Sequence, residues 1–153
     1  NAQIRDTFYG CKLGVTTKKQ LLDNLKELGY KYMYDNENKC YYVENVMFVG
    51  KQWDSCQFYF YKDTLSYVGF GLQSDKEEVI DVYNQNIENA RTKYDKIEGK
   101  MSRDDPNSKQ CYFDDGVIIL SIGYNIKEDN FANLIYHSRR IIDQMNEDAY
   151  NDI

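Results

Sequence analysis

Residues 40–49, 55–61 and 65–72 are three successive runs of aromatic and β-branched side chains, broken only by short polar segments at Gly50-Lys51-Gln52 and Lys62-Asp63-Thr64. Connections this short force neighbouring strands to run antiparallel, because a parallel return needs a dozen residues or more. A fourth run precedes them. Tyr30, Tyr32 and Tyr34 alternate with Lys31 and Met33 before the polar turn Asp35-Asn36-Glu37-Asn38-Lys39, the two-residue period of a strand ending in a reversal. Four consecutive strands without an intervening helix are incompatible with a fold that alternates strand and helix singly.

The flanking segments carry a helical period instead. Thr17 with Gln20 forms a capping-box pattern, Leu21, Leu22, Leu25 and Leu28 make one apolar stripe, and Gly29 follows as a helix stop, which predicts a helix over 17–28. Ser74 with Glu77 opens a second, longer helix. Its stripe is Ile80, Tyr83, Ile87, Ala90, Tyr94 and Ile97, and Gly99 is its expected end. Asp75, Glu77 and Glu78 lie near its start and Lys93, Lys96 and Lys100 near its end, the arrangement that complements a helix dipole. Residues 101–108, with Asp104-Asp105 and the only proline, Pro106, are expected to be a loop, either a mobile connection or a plain turn. Strands at 111–113 and 117–124 flank the hairpin signal Asp114-Asp115-Gly116, and Phe131, Leu134, Ile135, Ile142 and Met145 predict a last helix ending near Asp148. A strand ahead of residue 14 is also allowed. The order specifies an α+β fold, an antiparallel sheet with about three helices packed on one face. Its two halves do not align as a repeat, so residues 1–153 are read as a single α+β domain.

Composition removes several function classes. A chain of 153 residues can bury a core without metal or partner. Its longest aliphatic stretch is residues 117–120, far short of the roughly 20 apolar residues of a transmembrane helix. The 25 acidic residues outnumber the 19 basic ones, so the field repels phosphate and nucleic acid is not an expected partner. Cys11, Cys40, Cys56 and Cys111 are widely spaced, with no C-x-x-C pair and a single imidazole at His137. That pattern argues against a zinc ribbon, a thioredoxin-like motif and haem attachment. Two readings remain for the cysteines: disulfides, or buried free thiols. The first residue is Asn1 rather than methionine, which is read as a processed start and favours export; no N-glycosylation sequon occurs.

No motif assigns catalysis. Asp35-Asn36-Glu37-Asn38-Lys39 and Asp104-Asp105-Pro106-Asn107 hold calcium-type oxygen ligands but lack the glycine and terminal glutamate of an EF-hand, so both are read as solvated turns. His137, placed in the last helix, has no nucleophile motif near it. Gly69-Phe70-Gly71 lacks the third glycine of a phosphate loop and is read as a bend or a close backbone approach. No metal or cofactor is expected. What stands out is the tyrosine count, 15 in all. In Phe58-Tyr59-Phe60-Tyr61 the pleat sends the phenylalanines to one face and the tyrosines to the other. If helices cover the phenylalanines, Tyr59 and Tyr61 face solvent, and Tyr30, Tyr32, Tyr34, Trp53 and one of Tyr41 or Tyr42 are expected to extend that face. Rings with polar tips suit protein partners or sugar rings. The plainer alternative is that tyrosine serves as a strand former on a half-buried surface.

The stretch Phe8-Tyr9-Gly10-Cys11-Lys12-Leu13-Gly14-Val15-Thr16-Thr17-Lys18-Lys19-Gln20-Leu21-Leu22 resembles the opening of β-lactamase-inhibitor-protein-like modules, in which a strand ends in G-x-T and a capped helix follows. Those modules are similar in turn to the small lipoproteins of outer-membrane β-barrel assembly. Phe48-Val49-Gly50-Lys51-Gln52-Trp53-Asp54, followed by Phe58, Phe60, Leu65 and Val68, resembles uncharacterised exported proteins of Bacteroidetes. The resemblance implies helices packed on an antiparallel sheet, an exported, periplasmic or cell-surface location in the bacterial envelope, and binding rather than catalysis. The cysteine placement departs from the inhibitor's disulfide pattern, so inhibition of a β-lactamase is not implied. The expectation is therefore a non-catalytic binding protein whose aromatic sheet face takes a protein or glycan. The alternatives are a hydrolase or thiol enzyme with an unrecognised site, a structural envelope component, and a homodimer through a sheet face.

Overall fold

The computed structural model describes residues 3–153. A small N-terminal hairpin, β1 (Thr7–Phe8) and β2 (Cys11–Lys12), leads into α1 (Lys18–Glu27), β3 (Tyr32–Asp35), β4 (Cys40–Phe48), β5 (Lys51–Tyr61) and β6 (Thr64–Gln73). The same series then repeats as α2 (Lys76–Lys93), β7 (Lys100–Asp105), β8 (Ser108–Asp114), β9 (Ile118–Asn125) and β10 (Phe131–Ser138), and α3 (Arg139–Asn151) closes the chain. The eight long strands form one sheet in the order β3-β4-β5-β6-β10-β9-β8-β7. β6 and β10 pair antiparallel at its centre, with Phe70 opposite Leu134. The two halves, each a helix followed by a four-stranded meander, are thus related by an approximate twofold axis between these strands. The repeat lies in the order of elements and not in the side chains.

The α+β arrangement read from the sequence, a large antiparallel sheet with helices packed on it, is the one observed; α1 and α2 lie on one face, and α3 runs off the end of β10 towards the other. Thr17 caps α1 through a reciprocal capping box with Gln20, and Gly29 follows at φ +85°. At α2 the cap is Asp75 rather than Ser74: its carboxylate accepts the Glu78 N–H at 2.8 Å, while the Ser74 hydroxyl donates to the Glu78 side chain. The helix stops at Lys93, with Tyr94 as its C-cap. Gly99 lies instead against the Phe113 ring.

Two segments differ from the sequence expectation. Residues 101–108 are not a loose connection but the adjoining ends of β7 and β8, with Met101 opposite Cys111 and Asp105 opposite Ser108. β7 is an edge strand, and most of its residues are exposed. It therefore shows no alternation to read, and it is held through its backbone pairing with β8. The second segment, Phe131–Ser138, is a strand and not the start of the last helix. Ala132, Leu134, Tyr136 and Ser138 alternate into the core, and the Ser138 side chain then caps α3 by accepting the Ile141 N–H.

The core lies between the sheet and the layer formed by α1, α2 and the N-terminal hairpin. Phe58, Phe70, Phe113, Leu21, Leu25 and Ile122 are at most 1% exposed, and burial of such side chains supplies about 1.5–3 kcal/mol each before entropy is counted. Phe8 brings the N-terminal hairpin into this layer, its ring centroid 4.7 Å from that of Tyr136. The four cysteines are all buried and all free, so they behave as small apolar side chains.

Candidate functional site

The cross-strand register defines the face turned away from α1 and α2. Along one row Tyr112, Ser121, Ile135, Gly69, Gln57 and Tyr42 are successive partners across β8, β9, β10, β6, β5 and β4. In the next row Ile119, His137, Tyr67 and Tyr59 pair in the same way. Nearly all of these side chains are half-buried, as befits a sheet surface without a second layer; only the β6 glycine is enclosed. Glycine shapes it. A Cβ on Gly69 would lie 2.5 Å from Cε1 of Tyr67, so the Tyr67 ring lies flat over the backbone of its own strand. Gly123 similarly receives the Gln110 carboxamide, whose Nε2 donates to Asn133 Oδ1 at 3.2 Å. The close backbone approach read at residues 69–71 is what the first of these glycines provides.

At one end of this face the rings converge. Tyr59 and Tyr67 meet edge to face at 4.6 Å, and Tyr67 meets His137 in the same manner at 5.1 Å. α3 turns off the end of β10 so that Ile142, Met145 and Asn146 close a notch of about 270 Å³ over these rings and Ser66. Burial raises the Tyr67 hydroxyl pKa well above the phenol range. It also pushes Tyr59 up to about 12, reinforced by the neighbouring Cys40 thiol. Burial lowers His137 below the usual imidazole value, so the ring is neutral at neutral pH. The lining contains no carboxylate and no thiol. The notch is therefore an apolar depression edged with neutral donors and acceptors, without the charged partner that would orient the imidazole as a base.

The six residues expected to form one aromatic face fall into three settings. Tyr59 and Tyr61 point as the pleat requires, opposite Phe58 and Phe60. Tyr59 joins the notch. The Tyr61 hydroxyl donates to the Asp148 carboxylate of α3, which Lys62 Nζ also approaches at 3.0 Å. Tyr32 and Tyr34 lie on the other face, because Tyr34 pairs with Tyr41 and Tyr41 with Phe58. Tyr30 shares that side, stacked edge-on against Tyr9 at 5.0 Å. Of the pair Tyr41 and Tyr42, it is Tyr42 that extends the Tyr59 face. Trp53 is fully enclosed. Asn45, at φ +54°, breaks the alternation of β4 opposite Asp54, so that Val46 and Trp53 turn into the core. There the indole N–H donates to the Phe48 carbonyl at 3.0 Å and the ring packs 6.0 Å from Phe70.

Tyr67, His137, Gln57 and Tyr42 were not singled out as a group by the sequence. The alternation Tyr67-Gly69-Gly71 carried a signal for the first of them, since glycines on one face of a strand mark where a neighbouring ring is laid down. Comparison with protein-family models, curated proteins and solved structures finds no match to this chain.

Proposed function

We propose that the chain is a non-catalytic binding module, and that the sheet face bearing Tyr42, Gln57, Tyr59, Tyr67 and His137 is its contact surface for a protein partner. The observation that carries this reading is the one-sided layering of the fold: α1 and α2 cover one face, and among the described residues only α3 approaches the other, at one end. Strand spacing makes an eight-stranded sheet roughly 35 Å wide, broad enough for the approximately 800 Å² that each side of a stable protein complex contributes. Its surface carries Tyr42, Tyr59, Tyr67 and Tyr112, and tyrosine is enriched at such contacts. Protein is favoured over glycan because Tyr59, Tyr67 and His137 pack edge to face, so these rings are engaged with one another. The exported location implied by the resemblance belongs to the same reading; recovery of the native protein only from the cytoplasmic fraction would remove that part.

A photo-crosslinking residue at Gln57, compared with one at the exposed Lys26 of α1, tests the face. A discrete heterologous adduct from position 57 alone, weakened by Tyr59→Ser, is the expected result. A self-adduct from position 57 would replace the reading with a homodimer. Equal adducts from both positions, or none from either, would sink it.

A further inference from the structure

On the covered side of the sheet, far from the proposed contact face, a cavity of about 90 Å³ opens between α2 and strands β9 and β10. Its apolar wall is Ala90, Leu120, Ile122 and Leu134, and Arg5, Val49 and Lys93 stand at its mouth. Two features set it apart from an ordinary packing gap.

The first is charge. Both cations lack an acidic partner: neither Arg5 nor Lys93 takes part in an ion pair among the described residues, and no Asp or Glu lines the cavity. In a chain with net charge -6, two unpaired cations at one opening form a local anion-attracting spot. The guanidinium lies 5.0 Å from the Phe48 ring centroid, which holds it in place without neutralising it.

The second is an orphaned donor. Asn86, 7% exposed, lines the same cavity, and its side-chain Nδ2 has no hydrogen-bond partner among the described residues. A buried amide N–H is normally paired, and one left without a partner calls for an explanation. Asn86 and Lys93 lie seven residues apart on one face of α2, roughly 10 Å apart along the helix axis, and both line the cavity. Val49 sits at φ +48° and Gly50 at +72°, as the two-residue turn that joins β4 to β5 requires, so the mouth is shaped by a fixed hairpin.

We propose that this cavity is a binding site for a short-chain monocarboxylate carrying an acceptor oxygen away from its head, such as an oxo acid. The carboxylate sits between Arg5 and Lys93, the alkyl chain lies on Ala90, Leu120, Ile122 and Leu134, and the distal oxygen accepts a hydrogen bond from Asn86. The volume is below the roughly 150 Å³ of an apolar cavity that takes a benzene ring, which limits the chain to about five carbons.

The test is an amide-resolved NMR titration of the intact chain with 4-oxopentanoate, pentanoate and pentylammonium. Saturable shifts centred on Ala90, Ile122 and Leu134 are expected with both carboxylates, tighter for the oxo acid, and none with the amine. Arg5→Gln and Lys93→Gln alter exposed side chains, leave the spectrum folded, and weaken carboxylate binding at least five-fold each. Asn86→Leu keeps carboxylate binding but removes the preference for the oxo acid. The proposal is overturned if the amine binds as well as the acids, or if no saturable shifts appear. It is equally overturned by shifts that map to the opposite face of the sheet, by Gln variants that bind unchanged, or by an oxo-acid preference that survives Asn86→Leu.

Discussion

The Tyr61 hydroxyl donates a hydrogen bond to the Asp148 carboxylate, joining the turn between β5 and β6 to the far part of α3 across 87 residues. The same carboxylate accepts from Lys62 and from Gln144 one helical turn earlier. α3 depends on such contacts because Ile141 is its only fully buried side chain. The helix is hinged at Ser138 by its cap and latched at Asp148, with the notch over Tyr59, Tyr67 and His137 in between.

Asp148→Asn should therefore release the end of α3 without unfolding the sheet. Hydrogen exchange is expected to speed up at residues 146–151 while amides of β6 and β10 keep their protection. The bonds from Tyr61, Lys62 and Gln144 hold the Asp148 carboxyl down to about 2. A carboxyl depressed in the folded state stabilises the latch above its unfolded value of about 3.9, and that contribution is lost as pH falls through the folded value. The latch should thus survive mild acid and open only in strong acid, read as loss of protection in α3 before the sheet. Simultaneous exchange of α3 and the sheet at every pH would contradict a separate latch.

The elements legible in the sequence were those whose own side chains alternate or recur. α1 announced itself through Thr17, Gln20 and Gly29, and the central strands through their alternation. What stayed hidden depended on partners. β7 presents almost no buried side of its own, so only pairing with β8 reveals it as a strand. Phe131, Leu134 and Ile135 mimic a helical stripe because two of them face opposite sides of β10. For the site, the pleat at residues 58–61 was readable, but the assignment of Tyr32 and Tyr34 was not. Their face is set by the register Tyr34–Tyr41–Phe58, and a one-residue change in pairing would have reversed it. Trp53 escaped for a related reason, since the break at Asn45 inverts the alternation locally.

The glycines of the sheet separate surface from core. Gly69→Ala places a methyl group against the Tyr67 ring, which can swing outward because it faces solvent. A small loss of stability is expected, below about 1 kcal/mol, together with altered ring-current shifts at His137 and weaker crosslinking from position 57. Gly99→Ala instead drives a methyl group to within 2.8 Å of Cζ of Phe113, a ring with no exposure. Overpacking of this kind costs about 1–3 kcal/mol. Urea denaturation of the two variants should rank them in that order; the reverse ranking would mean that Tyr67 is fixed by something other than the glycine beneath it.

Thiol chemistry provides an independent check on the packing. Burial raises the Cys11, Cys40 and Cys111 thiols, and raises Cys56 furthest, so the reactive thiolate is scarce at neutral pH. An aromatic disulfide reagent should label almost nothing in the native protein and all four cysteines in urea without prior reduction. Fewer than four labelled in urea would reveal a disulfide. Rapid native labelling of Cys56 would contradict its enclosure under Tyr9 and the β4–β6 layer.

Asp115 governs how the N-terminal segment is attached. One carboxylate oxygen accepts the N–H groups of Gln3 and Ile4, and the other accepts those of Val117 and Ile118. Partial burial raises this carboxyl, but the four backbone donors outweigh it and hold it below the usual range. Asp115→Asn replaces one acceptor oxygen with a competing N–H donor and leaves two amides unpaired, an expected loss of about 1–3 kcal/mol. Because the folded-state carboxyl is depressed, the stabilisation is present above about pH 3.9 and disappears as pH falls through the lower folded value. Urea midpoints of wild type and Asp115→Asn should therefore differ at neutral pH and converge in acid. The variant should also accelerate exchange at Ile4 and Phe8, the two side chains that carry the N-terminal segment into the core. A difference that persists unchanged in strong acid would place the effect in the hairpin turn alone and not in the charged acceptor.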